Sequence, residues 1–170
     1  MSATGASPGL RLPNKSALAH LASWLPECMH MPVELRAPLA HVDLTERIIG
    51  CFFTAFGELG HGFSEKVLCR GFAIVLIEAG LDVMEEFPMN VQFRGRCIGK
   101  FYADIIVNRT VLIEVKGNKD VEPYATAQLL NYLKVAGGGI GLLTNFGRKP
   151  EFRRLVVGDP QRSLPNLFGS

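Results

Sequence analysis

Three charged residues fall inside stretches that otherwise read as buried strand. They are Asp104 in Tyr102-Ala103-Asp104-Ile105-Ile106-Val107, and Glu114 and Lys116 in Val111-Leu112-Ile113-Glu114-Val115-Lys116. A charge on an interior strand is costly unless it is paired or binds something. Glu114 and Lys116 are two residues apart and share a face of their strand. Whether Asp104 joins them depends on the intervening turn. A loop of Asn108-Arg109 alone sets Asp104 opposite Ile113 and sends Glu114 to the other face. A loop of Asn108-Arg109-Thr110 sets Asp104 opposite Glu114 and Tyr102 opposite Lys116. The second register, with a left-handed third loop residue, or a bulge with the same effect, gathers the charges in one place and is the one expected. Carboxylates facing each other across a strand pair, with Cβ atoms about 5 Å apart, repel. A hard divalent cation, Mg2+ or Mn2+, relieves that repulsion and accepts oxygen ligands. A lysine beside it can place a water or stabilise developing negative charge. Metal, water and lysine are the equipment for phosphodiester hydrolysis. The competing reading is a structural carboxylate–lysine pair at a sheet edge.

The elements that must position these groups are legible in the periodicity. Asp43 and Glu46 resemble a capping box, and Leu44, Ile48, Ile49, Phe52, Phe53, Phe56 and Leu59 follow at helical spacing until Gly57 and Gly60. A second helix runs from about Phe63 to Ala79. It is apolar almost all round, which suggests packing on more than one side. The period then changes to two: Phe87, Met89, Val91 and Phe93 alternate with polar residues and proline. Strands are predicted at Ile98–Val107 and Val111–Lys116, a helix from about Glu122 to Val135, and strands at Ile140–Thr144 and Phe152–Val157. The order ααβββαββ implies an α/β (α+β) domain with a mixed central sheet over residues 43–157. Residues 1–42 read as an N-terminal extension with a flexible leader and a short helix at Leu18–Leu25. Residues 158–170 read as a polar, loosely ordered tail.

Several motifs in order resemble one family. Asp104…Glu114-Val115-Lys116 resembles the core of the PD-(D/E)XK nuclease superfamily, with Ala103 in the place of its proline. Gly62-Phe63-Ser64-Glu65-Lys66-Val67-Leu68 is similar to the signature of its GxxExxY family, and Asp43 to Gly50 to that family's opening helix. Gln128-Leu129-Leu130-Asn131-Tyr132-Leu133 resembles the helix after the metal-binding strand, and Gly141 to Phe146 the closing strand. The resemblance implies a restriction-endonuclease-like fold and a Mg2+- or Mn2+-dependent nuclease. Asp104, Glu114 and Glu65 would bind metal, Lys116 would assist catalysis and Gln128 would approach from the following helix. Tyr132 and Asn145 would touch substrate; both also suit structural roles, on a helix surface and as a strand cap. Leu68 stands where the family has tyrosine, which keeps open an inactive module that binds nucleic acid or a protein partner.

Charge and composition bound the partners. Eighteen basic and sixteen acidic residues leave a formal charge of +2, which excludes a strongly basic chromatin-type protein but not a local basic patch. Arg148, Lys149, Arg153 and Arg154 form one candidate phosphate-binding cluster, and Arg94, Arg96 and Lys100 another around Gly95. The second reads first as a solvated charged loop. DNA is the expected substrate and RNA the alternative; homo-oligomerisation stays open. No apolar run suffices to span a bilayer. No secretory signal pattern is visible, and the four cysteines make no C-x-x-C pair, so the expectation is a cytoplasmic protein with free buried thiols. The four scattered histidines suggest no metal site.

Overall fold

The computed structural model describes residues 41–117, 123–160 and 164–168. The N-terminal leader and short helix, Cys28, His20, His30 and the helix start at Glu122 lie outside the described residues.

Helix α1 (Val42–Leu59) buries Ile48, Cys51, Phe52 and Ala55, the stripe set by its apolar spacing. Its start differs from expectation. His41 caps it in a left-handed conformation with φ 58° and makes no side-chain cap bond, while Asp43 sits inside the first turn. A carboxylate there still meets the exposed N–H groups of the helix end, so the acidic signal was real although the cap was not. Gly60 ends α1 at φ 69° and donates its N–H to the Phe56 carbonyl. Helix α2 (Glu65–Glu78) buries Leu68, Phe72, Ala73 and Leu76 on one side. Val67, Ile74 and Ile77 stay about half exposed, so α2 is not packed on more than one side by the described residues.

Five strands form one sheet in the order β1 (Val83–Phe93), β2 (Arg96–Val107), β3 (Val111–Lys116), β4 (Gly139–Phe146) and β5 (Pro150–Val157). β3 and β4 run parallel, joined through α3 (Pro123–Val135), and all other neighbours are antiparallel. Val107 pairs with Val111, giving the expected three-residue loop. The left-handed residues are nevertheless the first two, Asn108 (φ 49°) and Arg109 (φ 54°), not the third. Asn tolerates that conformation better than Thr, and the Asn108 side chain is also held by the Asp82 N–H at 2.9 Å.

The sheet carries a core on each side. Phe52, Phe72 and Phe146 pack with Ile105, Ile113 and Ile140 beneath α1 and α2. The Phe52 and Phe146 rings meet at 4.9 Å and 90°, an edge-to-face pair. On the other side Leu129 and Leu133 of α3 cover Leu112, Ile106 and Leu143. Gly141 permits that approach, since a Cβ there would come within 2.9 Å of Leu129. The tail is not simply loose: Leu164 is fully buried, a short helix α4 (Pro165–Phe168) follows, and the Phe168 ring lies 5.3 Å from Phe87. The described order is therefore ααβββαββα. Cys51 is buried, Cys69 half-buried and Cys97 exposed, so the thiols are not uniformly interior. No helix among the described residues is long and apolar enough to cross a membrane.

Candidate functional site

The site lies where β2 and β3 part. Their pairing begins at Val107↔Val111 and ends at Ile105↔Ile113. Asp104 and Glu114 are the residues that follow the last pair on each strand, beyond the end of the pairing. The separation leaves the Val115 N–H without a strand carbonyl, and Asp104 Oδ2 accepts it at 2.8 Å. Glu114 is almost fully buried. Its Oε1 accepts the Lys116 ammonium at 2.7 Å, and its Oε2 is buried without a hydrogen-bond partner among the described residues. Lys116 Nζ also lies 3.8 Å from Glu65 Oε2. Glu65, in the first turn of α2, accepts the Gly117 N–H through Oε1 at 3.4 Å. Thus α2, β2 and β3 bring Glu65, Asp104, Glu114 and Lys116 together.

Burial sets the protonation chemistry. It raises Asp104 from its ordinary value of 3.8, against the lowering effects of the Val115 hydrogen bond and Lys116. Burial, reinforced by the Asp104 charge, pushes Glu114 up to about 7, again against Lys116. For Lys116, burial favours the neutral amine, but the hydrogen bond and charge of Glu114, with Glu65 and Asp104 behind, outweigh it and raise the pKa. The ammonium is thereby held charged beside Glu114, whose ionisation the charges of Asp104 and Glu65 oppose.

Two neighbours of Asp104 escaped the sequence reading. Glu86 would stand opposite Asp104 between the pairs Glu85↔Ile105 and Phe87↔Ala103, but it takes a left-handed φ of 49°. Burial changes parity at this point: Ile105 packs in the core under α1 and α2, whereas Ala103 packs in the core under α3. Glu86 ion-pairs with Lys66 at 3.5 Å and adds its charge to those raising Asp104. In sequence it is one of two acids preceding Phe87-Pro88, with nothing to distinguish it. Cys69 donates its thiol to the Asp104 carbonyl at 3.7 Å and is pushed up to about 12, by burial first and the Asp104 charge second. A raised thiol of this kind is disfavoured as a nucleophile, because the thiolate is the reactive form. Glu65, Lys66, Cys69, Glu86 and Asp104 line an open cleft of about 930 Å³.

A family model for the PD-(D/E)XK nuclease superfamily matches residues 42–155. The chain belongs to that superfamily. Comparison with curated proteins and with solved structures gives no match. The mixed sheet flanked by helices is consistent with the restriction-endonuclease-like fold of PD-(D/E)XK proteins. Members of the superfamily generally use divalent metal ions. In this PD-(D/E)XK chain the donors are hard carboxylate oxygens, and the partnerless Glu114 Oε2 suits such an ion chemically. No three Asp, Glu, His or Cys side chains among the described residues are grouped closely enough to form a ligand set.

The remaining residues singled out in the sequence divide into three groups. Gln128 and Tyr132 are on one face of α3, Gln128 donating to the Tyr132 hydroxyl at 2.7 Å. The Tyr132 ring stacks on Phe101 at 3.9 Å, and its pKa is raised by burial, with Glu114 and Asp104 adding to it. Asn145 is beside Lys116 in the parallel pairing and fully buried, both amide atoms without a partner among the described residues. Arg148 and Lys149 are exposed. Arg153 and Arg154 point to opposite faces of β5, so the two do not share one surface. Arg153 donates to Thr126 of α3 at 3.4 Å, and burial lowers Arg154. Leu68 is fully buried in the core beside Phe72.

Proposed function

We propose that this protein is a Mg2+- or Mn2+-dependent nuclease of the GxxExxY branch, hydrolysing phosphodiester bonds of DNA. The observation that carries the reading is the conjunction of a buried, partnerless Glu114 oxygen with Asp104 and a charged Lys116. Asp104 and Glu114 would hold the cation, with Glu65 as the third acid. The bound cation would supply charge neutralisation at the phosphate and a more acidic water. Asp104 is oriented from β3 by the Val115 N–H, so its carboxylate is set before substrate arrives. Lys116 is anchored by Glu114 and Glu65 and presents an ammonium to the charge that develops as the P–O bond breaks. Gln128 and Tyr132, tied to each other, form the α3 side of the substrate path.

A second reading, an inactive module that retains nucleic-acid or protein binding, is favoured by Leu68 and by the lack of a closed ligand set among the described residues. Calorimetric titration of Mg2+ and Mn2+ into wild type and Asp104→Ala, with DNA cleavage measured alongside, separates the two. Metal binding and cleavage that both vanish in the variant support the nuclease. No heat and no cleavage in wild type leave the binding module.

A further inference from the structure

The outer half of the β1–β2 pair leaves the sheet. β3 pairs with β2 only from Ile105 to Val107 and β1 is the edge strand, so Arg96–Tyr102 have no strand on their far side among the described residues. From Pro88↔Tyr102 to Phe93↔Arg96 the chain is a two-stranded ribbon. At about 3.4 Å per residue it is roughly 20 Å long. One face is anchored: Met89 is buried and Phe101 stacks on Tyr132 of α3. Alternating with these, Asn90, Gln92, Lys100 and Tyr102 are exposed, as are Arg94 and Arg96 at the tip. No Asp or Glu occurs from Phe87 to Ala103, whereas Arg94, Arg96 and Lys100 put three cations there in a chain of net charge +2. A single lysine is an ordinary way to blunt a strand edge. Three cations without one acid, interleaved with amides, are an electrostatic and hydrogen-bonding surface for a polyanion.

We propose that this ribbon is an arm that enters a groove of double-stranded DNA and delivers the phosphodiester backbone to Asp104. The choice of DNA rests on the nuclease reading above. Lys100 and Tyr102 precede Asp104 at two-residue spacing, so arm and site are parts of one strand. The major groove, about 12 Å wide, admits a two-stranded ribbon. A single strand would instead call for successive free aromatic faces. Here Phe101 is already stacked on Tyr132, and the Arg94 guanidinium lies 5.5 Å over Phe93. Edge-to-edge pairing with a second copy is disfavoured by Pro88, which has no N–H, and by the register shift at Val91/Gln92.

The test is fluorescence anisotropy of a labelled DNA duplex of about 20 base pairs and of its single strand, in chelator, across a salt series. Omitting the cation makes binding independent of catalysis. Wild type binds the duplex more tightly than the single strand. The triple variant Arg94→Gln, Arg96→Gln, Lys100→Gln loses at least about tenfold, and its log–log salt slope falls by about 2–3, near 0.9 for each phosphate contact. Because all three side chains are exposed, circular dichroism should be unchanged. As a second readout, exposed Cys97, on the arm, is protected from alkylation by the duplex, read by peptide mass mapping. Equal duplex affinity in wild type and variant, tighter single-strand binding, no protection of Cys97, or a dimer that competes with duplex would each overturn the arm. If wild type neither binds cation nor cleaves while the variant still loses duplex, the nuclease reading falls and the arm stands. If wild type cleaves and the variant binds and cleaves alike, the reverse holds.

Discussion

The two halves of β2 are the same strand under opposite physical regimes. The inner half, Ile105–Val107, has β1 on one side and β3 on the other, and all three residues are fully buried. The outer half, Arg96–Tyr102, has only β1, and all but Phe101 are exposed. Asp104 is the joint. Inside it, strand pairing and two apolar cores fix the backbone; outside it, the ribbon is free to meet a partner. A carboxylate at such a joint is positioned by the rigid half while opening towards solvent. This geometry also explains how Glu114 can be buried at all. It is one residue from a paired, apolar segment, and its charge is met by Lys116 rather than by water.

The sharpest way to break the comparison is to alter the joint. Asp104→Asn and Glu114→Gln are each expected to reduce DNA cleavage about 10³-fold while keeping side-chain size, and Lys116→Ala to lower kcat about 10²-fold with little change in metal affinity. Relieving carboxylate repulsion should leave the folded state intact. A variant that cleaves like wild type would separate the joint from chemistry altogether.

Next come the two halves themselves. Ile105→Ala removes a fully buried side chain and is expected to cost about 2–5 kcal/mol in denaturant unfolding. Ile98→Ala, on the arm and 64% exposed, is expected to stay within about 0.5 kcal/mol. Comparable losses at both positions would mean that the arm is part of the cooperative core.

Leu68 sharpens the relation between core and site. It is fully buried, and a Cβ on Gly117 would lie 3.1 Å from its Cδ1, so it packs directly beneath the chain that follows Lys116. Leu68→Tyr is expected to overpack this spot and cost about 1–3 kcal/mol. Unchanged stability with a gain in cleavage would show that the pocket had room for a hydroxyl and that leucine had weakened catalysis.

How far the sequence reached follows from how local each signal was. The loop that pairs Val107 with Val111 is short and local, and its length was legible from the placement of charges. The helices and strands were legible where apolar residues repeat, as at Ile48, Phe52 and Ala55. Features set by distant packing were not legible. Glu86 takes a left-handed conformation with no glycine or asparagine to announce it, and the change of burial parity beside it belongs to the strand pair, not to either strand. The exposed Val67, Ile74 and Ile77 looked like core because composition does not say which sides of a helix are covered. The buried Leu164 and the Phe168–Phe87 contact were hidden in a segment whose prolines suggested a loose tail.

The smallest expected effect at the joint itself is its pH dependence. Glu114 has an ordinary value of 4.5 when unfolded and about 7 when folded, because burial and then Asp104 oppose its charge. A raised acid means that the folded state binds the extra proton. Its contribution is therefore fully present below the unfolded value and is lost as pH rises through the folded one. Asp104, also raised, acts in the same direction, while Lys116, raised above 10.5, stays charged throughout. The metal-free protein should accordingly lose about 1 kcal/mol between roughly pH 6 and pH 8, read from urea midpoints in chelator. Glu114→Gln should flatten that slope, because the amide has no proton to lose. Divalent-cation affinity should run the opposite way, strengthening as pH rises through about 7, where ionised Glu114 becomes the majority form. A stability that stays flat between roughly pH 6 and pH 8 in chelator would show that Lys116 holds Glu114 ionised at neutral pH, and that the joint needs no cation to carry its charge.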